Sequence, residues 1–75
     1  MNKKRRTQIK DVYASLRDTK DNLKDILSDE EDTFENLPEN LQLSERAEAS
    51  AEAIDKMDDA VDAIEEAMGY LEEIV

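Results

Sequence analysis

The sequence predicts an all-α fold, an antiparallel two-helix hairpin of the coiled-coil type, in a single domain spanning residues 1–75. Apolar residues recur at helical spacing in both halves of the chain, and the only proline, Pro38, stands between the halves. Residues 1–28 carry eight basic and four acidic side chains, whereas residues 45–75 carry two basic and eleven acidic ones. Each charged end has the wrong sign for its own helix dipole, and a hairpin lets each end compensate the other.

The first helix is predicted over about residues 3–33. Its apolar seam alternates steps of three and four residues, with Tyr13 and Leu27 just beside the seam. The polar run 28–33 interrupts this pattern, so we expect the helix to fray before Phe34. The predicted seam consists of Ile9, Val12, Leu16, Thr19, Leu23 and Ile26, and the basic column next to it of Lys3, Lys10, Arg17 and Lys24.

The connection is predicted over about residues 34–44. Pro38 has no backbone N–H and disfavours a helical conformation at Leu37, so the first helix must end before it. One interpretation of this segment is mechanical, a turn that closes the end of the core. The other is a binding epitope held by a rigid scaffold, which is where binding residues concentrate.

The second helix is predicted over about residues 45–74, with Ser44 as its N-cap. Its seam widens into a stripe because a further column of small or apolar residues lies beside it. Acidic residues fill the opposite face. The seam comprises Ala47, Ser50, Ile54, Met57, Val61, Ile64, Met68, Leu71 and Val75, and the added column comprises Ala53, Ala60, Ala67 and Ile74.

Matching the two seams predicts that residue i of the first helix faces residue 80 − i of the second. This register puts Arg6 near Glu72 and Lys20 near Asp58. A single hairpin leaves Ala53, Ala60 and Ala67 uncovered, and a chain of 75 residues has little core of its own. We therefore expect a homodimer in which two hairpins form a four-helix bundle.

The composition excludes several kinds of chemistry. The chain has no cysteine and no histidine, so disulfides, thiol catalysis and imidazole catalysis are ruled out. We expect no enzymatic activity, no cofactor and no metal. The sequence has no apolar run of membrane-spanning length and no signal peptide, which predicts a soluble protein of the cytoplasm without a membrane partner.

Parts of the sequence resemble a family of small acidic helical proteins encoded by bacteriophages and prophages. The resemblance covers nearly the whole chain, and a PENLQ-x-SER string at residues 38–46 is its most specific part. The basic opening 1–6 and the acidic, alanine-rich second half also match the family. The resemblance implies a bacterial host cell and assigns no particular activity.

The charge pattern favours a non-enzymatic protein that binds a host or phage protein. An acidic helix face suits a basic partner, for example a host protein of DNA handling or defence that the chain would inhibit. The alternative is a small dimeric nucleic-acid-binding regulator that uses the basic residues Lys3 to Arg6 and Lys10, which the net charge of −11 disfavours. The predicted partner-binding residues are Pro38, Glu39, Asn40, Gln42, Glu45 and Arg46 in the connection, and Asp55, Asp58, Asp59, Asp62, Glu65 and Glu66 on the acidic face.

Overall fold

Two long helices lie antiparallel in the computed structural model, which describes residues 1–41 and 44–75. Helix α1 runs over Lys3–Glu35 and helix α2 over Glu45–Glu72, with a short 3₁₀ turn at Glu39–Leu41 between them. The helices pack along their length into a rod whose Cα atoms extend 59 × 14 × 13 Å. The predicted all-α helical hairpin is therefore confirmed.

Side chains cap both helices at their amino ends. The Asn2 side chain accepts a hydrogen bond from the Arg5 N–H at 2.8 Å, and the Ser44 hydroxyl accepts one from the Ala47 N–H at 3.3 Å. At the other end of α1, the Asn36 side chain donates to the Asp32 carbonyl at 2.7 Å. These bonds satisfy backbone groups that have no partner within the helix.

Helix α1 continues through the polar run 28–33, as predicted, but it ends at Glu35 instead of fraying before Phe34. Within the run the Glu30 side chain is half-buried and accepts a hydrogen bond from the Ser50 hydroxyl of α2 at 2.5 Å. The half-buried Phe34 follows one turn later. Packing against α2 therefore supports a segment whose own sequence gives little helical amphipathicity.

The face that α1 packs against α2 is rotated by about one residue from the predicted seam. Val12 and Ile26 are 51% and 58% exposed, and Thr19 is also exposed, so their assignment to the seam was wrong. The rotation puts Tyr13 in the place of Val12 and Leu27 in the place of Ile26, and the half-buried Lys20 takes the place of Thr19. The buried or half-buried seam of α1 consists of Ile9, Tyr13, Leu16, Lys20, Leu23, Leu27, Glu30 and Phe34, and it continues to Leu37 beyond the helix.

The predicted seam of α2 is confirmed from Ala47 to Leu71. Ala47, Val61 and Met68 are buried, and the other seam residues up to Leu71 are half-buried. Val75, the last predicted member, is 44% exposed and lies beyond the end of the helix. The column of Ala53, Ala60, Ala67 and Ile74 beside the seam is exposed throughout.

The register agrees with the predicted one near the turn, where the Ser50 hydroxyl bonds to Glu30 and the residue numbers add to 80. The Tyr13 hydroxyl bonds to Glu72 and the Lys20 ammonium lies near Glu65, and in both pairs the residue numbers add to 85. Long side chains point toward the amino end of their own helix, so the pairs they form across antiparallel helices have larger sums than the backbone register. Lys20 therefore pairs with Glu65 and not with the predicted Asp58, and Glu72 accepts from Tyr13 where an ion pair with Arg6 was predicted.

This register predicts which cysteine pairs form a disulfide within one chain. Leu16→Cys combined with Ile64→Cys should oxidise readily, because these positions lie two heptads from the bonded pair Glu30 and Ser50 and disulfides need Cα atoms about 4.4–6.8 Å apart. Leu16→Cys with Leu71→Cys is the matched control, displaced by two helical turns. The extent of oxidation in dilute solution is measured by gel mobility, and faster oxidation of the control pair would contradict the register.

Candidate functional site

The segment around the turn displays most of the residues predicted to bind a partner there. Pro38, Glu39 and Asn40 are exposed, and so are Glu45 and Arg46 in the first turn of α2. The predicted residue Gln42 lies outside the described part of the chain. The turn is anchored on its α1 side by Leu37, which is half-buried and donates its N–H to the Phe34 carbonyl at 3.3 Å. The structure thus presents an exposed, polar tip.

The six predicted acidic residues of α2 are all exposed, but they fall into two groups. Asp58 and Glu65 lie in the heptad column that faces the basic column of α1, and Glu65 is 3.8 Å from the Lys20 ammonium. Asp59, Asp62 and Glu66 lie on the outer edge of α2, away from α1, and Asp55 borders them. We call these last four residues the acidic edge. Glu66 accepts a hydrogen bond from the Tyr70 hydroxyl at 3.2 Å.

Helix α1 carries its own acidic column, which the sequence reasoning did not single out. Asp11, Asp18, Asp25 and Asp32 recur every seven residues and are all exposed. The heptad spacing in the sequence would have revealed the column once the seam of α1 was placed correctly. It lies on the edge of the hairpin opposite the acidic edge of α2, so the two sets of carboxylates do not form one continuous surface.

A tyrosine–carboxylate pair joins the helices near the two chain ends. The Tyr13 hydroxyl donates to Glu72 Oε1 at 2.5 Å, and a groove of about 170 Å³ lies between Lys10, Tyr13, Glu72 and Val75. This hydrogen bond raises the pKa of Tyr13 above the ordinary value of 10.0, and desolvation and the negative charge of Glu72 act in the same direction. The nearby Arg17 opposes the rise.

Replacing Glu72 by glutamine is expected to lower the pKa of Tyr13, because the charged hydrogen-bond acceptor is lost. A Tyr70→Phe background leaves Tyr13 as the only tyrosine, so its ionisation can be followed by ultraviolet absorbance. The folded-state pKa lies above the unfolded one, so this hydrogen bond stabilises the fold below about pH 10, and that stabilisation is lost as the pH rises through the folded-state pKa.

The matched control for this titration is Glu73→Gln, which removes the same charge from the adjacent, exposed position. It should leave the pKa of Tyr13 close to that of the Tyr70→Phe background. A Tyr13 titration that Glu72→Gln does not change would contradict the hydrogen bond as the cause of the raised pKa.

The basic start of the chain is exposed. Lys3, Lys4, Arg5, Arg6 and Lys10 all face solvent. Within residues 1–41 and 44–75 the ion pairs are Arg17–Asp18 at 3.7 Å and Lys20–Glu65 at 3.8 Å, so these five bases form none with the acidic end of α2. The basic start of the chain and the acidic end of α2 therefore compensate each other's charge only over a longer range.

One broad side of the hairpin is nearly free of charge. The helices meet there around a groove of about 320 Å³ near the turn, whose rim includes Thr33, Arg46 and Ala53. On the reverse side, grooves are lined by charged residues such as Glu31, Asp55 and Glu72. We call the first side the neutral face. It presents Val12, Ser15, Thr19, Asn22 and Ile26 on α1, and Ala49, Ala53, Ala60, Ala63, Ala67, Tyr70 and Ile74 on α2, all exposed.

The sequence reasoning found only part of the neutral face. It placed Ala53, Ala60, Ala67 and Ile74 beside the α2 seam, but it assigned Val12 and Ile26 to the core. The structure puts both sets of residues on one side of the molecule.

In the part of the chain that the structure describes, no helix is long and apolar enough to cross a membrane, and no group of three potential metal ligands occurs. No protein-family model matches the chain, and no curated protein or solved structure is significantly similar to it.

Proposed function

We propose that this chain is a non-enzymatic accessory protein of the phage or prophage type that acts by binding another protein. The observation that supports this proposal most directly is the acidic edge, four exposed carboxylates on the outer edge of α2 and next to it. Exposed charges of one sign on a rigid helix attract an oppositely charged surface and accelerate association with it. The partner is therefore a protein with a basic surface.

The spacing of the charges favours a short segment of a protein as the ligand. Along α2 the residues Asp55, Asp59, Asp62 and Glu66 span eleven residues, or about 16 Å at the helical rise of ~1.5 Å per residue. That is one charge per ~4 Å, whereas duplex DNA carries one per ~1.7 Å. The edge thus suits a basic helix or loop, such as one used by a host protein of DNA handling or defence, which the chain would inhibit by occupying it.

The exposed tip of the hairpin is the second surface that serves this function. Glu39 and Arg46 stand on either side of the turn, and Arg is among the residues that most often carry binding energy in interfaces. The resemblance of the PENLQ-x-SER string to phage and prophage proteins supports a role for this segment and a site of action in the bacterial cytoplasm.

The experiment compares three variants in capture of proteins from a bacterial host lysate, with identification by mass spectrometry. Changing Asp55, Asp59 and Asp62 to asparagine should reduce recovery of the partner at least tenfold. The matched control changes Asp11, Asp18 and Asp25 to asparagine, which removes the same charge from α1 and should leave recovery unchanged. Glu39→Ala with Arg46→Ala tests the tip. Equal recovery with all three variants would refute both surfaces.

The hairpin is also proposed to work as a homodimer. Among the described residues only Leu27, Ala47, Val61 and Met68 are buried. The chain exposes 5859 Å², whereas a compact monomer of 8.6 kDa exposes about 4,700 Å² by the usual scaling of surface with mass. Association of two hairpins into a four-helix bundle would remove much of this excess.

A nucleic-acid-binding regulator is the second candidate, because the five bases at the start of the chain are exposed and make no ion pair with the acidic end. Such a protein would bind labelled DNA or RNA with an affinity that falls steeply as salt is raised. Changing Lys3, Lys4, Arg5 and Arg6 to glutamine would abolish that binding. Binding that survives this change would argue against the basic start as the site.

A further inference from the structure

We infer that the neutral face is the surface through which two copies of this chain associate, with the two-fold axis running along the hairpin. This inference rests on the homodimer proposed above and specifies its interface. It also assigns one intermolecular ion pair, between Lys56 of each copy and Asp29 of the other.

The composition of the neutral face separates it from the rest of the surface. Its central columns contain no charged residue between Val12 and Ile26 on α1, or between Ala60 and Ile74 on α2. The chain as a whole has ten basic and 21 acidic residues in 75. Val12, Ile26, Tyr70 and Ile74 are 40–63% exposed on this side. Exposed apolar side chains grouped on one uncharged side of a small, highly charged protein mark an interaction site.

The excess of exposed surface fits a dimer. The chain exposes 5859 Å², about 1,200 Å² more than a compact monomer of 8.6 kDa. A stable protein interface of standard size buries ~800 Å² on each partner. The alanines at positions 53, 60 and 67 allow close approach of a helix from the other copy, while Val12 and Ile26 supply the larger side chains.

The charges that border the face are complementary to those of a second copy in one orientation. Asp29 lies at the edge of the face on α1, and Lys56 lies at the edge on α2. Their residue numbers add to 85, as in the Tyr13–Glu72 and Lys20–Glu65 pairs, so their side chains can meet across two antiparallel helices as the side chains of those pairs do. A two-fold axis parallel to the hairpin places Lys56 of each copy over Asp29 of the other. The same axis brings the two turns to one end of the bundle.

The remaining bases of this side lie at its ends. Arg5 is near the start of α1, and Arg46 is in the first turn of α2. Both side chains are exposed and long enough to keep their guanidinium groups in water when the face is covered. They therefore do not oppose association at the centre of the face.

Sedimentation equilibrium of the purified full chain tests the face itself. The wild-type protein should dimerise, and Ala60→Glu should raise the dimer dissociation constant at least 100-fold, because it buries a charge at the centre of the interface. The matched control is Ser28→Glu, which adds the same charge at an exposed position off the face and should leave the constant within about threefold. Circular dichroism checks that each variant remains helical.

A charge exchange tests the orientation, with changes only at exposed positions. Lys56→Glu or Asp29→Lys alone should raise the dissociation constant about tenfold, and the double variant should restore it to within about threefold of the wild type. A dimer dissociation constant that Ala60→Glu leaves unchanged would overturn the neutral face as the interface. A dimer that is sensitive to Ala60→Glu but not rescued by the exchange would overturn the two-fold axis.

These results are independent of partner capture. A chain that stays monomeric up to about millimolar concentration would refute the dimer and leave the acidic edge untouched, because the capture experiment uses other residues. Loss of capture in the acidic-edge variant with an unchanged dimer would conversely support both proposals.

Discussion

Leu27→Ala is expected to lower the free energy of unfolding by about 2–5 kcal/mol, the usual cost of truncating a buried leucine. Leu27 is only 8% exposed and is the one buried residue of α1 among those described. Its neighbour Ile26 is 58% exposed. Ile26→Ala should therefore change the stability of the single hairpin by no more than about 0.5 kcal/mol. Urea denaturation followed by circular dichroism measures both effects.

The comparison of these two neighbours decides which face of α1 packs against α2. Both variants are measured at two protein concentrations, because Ile26 also lies on the neutral face. We expect Leu27→Ala to lower the free energy of unfolding at either concentration. Ile26→Ala should lower it only at a concentration where the wild type is dimeric. If Ile26→Ala lowered the free energy of unfolding more than Leu27→Ala in the dilute sample, α1 would pack through the predicted seam of Val12, Thr19 and Ile26.

Ala47→Leu is expected to destabilise the hairpin by about 1–3 kcal/mol, although leucine is as good a helix former as most residues. Ala47 is 2% exposed, the lowest value among the buried residues described. The three added carbons have no space there and must displace the residues that close the end of the core next to the turn. Thermal and urea unfolding measure the loss.

Ala49→Leu is the control for this overpacking. It makes the same substitution two residues further along α2, where the side chain is exposed on the neutral face, so stability in a dilute, monomeric sample should stay within about 0.5 kcal/mol of the wild type. If Ala47→Leu were as stable as Ala49→Leu, the end of the hairpin would be too loosely packed to hold the turn in one conformation. The tip could not then serve as a preorganised epitope.

The two proposed surfaces can act at the same time because they lie on different sides of the hairpin. Covering the neutral face with a second copy leaves Asp55, Asp59, Asp62 and Glu66 exposed on the outer edge of each α2. A dimer thus presents two copies of the acidic edge. Two linked sites can bind a partner that offers two basic surfaces more tightly than either site alone, provided that the geometry permits both contacts.

The candidate surfaces were predictable to different degrees. The acidic residues from Asp55 to Glu66 and the exposed residues of the tip were identified from charge and from the turn. The sequence did not show that Asp58 and Glu65 face the basic column of α1, or that the neutral face combines residues of both helices. Those relations depend on how the two helices are rotated about their axes.

The sequence by itself determined that the chain forms two helices, where they meet, and which face of α2 is buried. Pro38 ends the possibility of one continuous helix, and Ser44 starts the second. In α2 only one face can be buried, because acidic residues occupy most of the others and burying an unpaired carboxylate is costly. The seam from Ala47 to Leu71 could therefore be read correctly from spacing alone.

Only the tertiary structure decided the rotation of α1. Two overlapping seams fit its sequence: one passes through Val12 and Ile26, the other through Tyr13 and Leu27, and both share Leu16 and Leu23. Local spacing cannot choose between them, because both satisfy the same alternation of three and four residues. The choice depends on burying Tyr13, Leu27 and Phe34 against α2, and that burial carries the helix past Phe34 to Glu35.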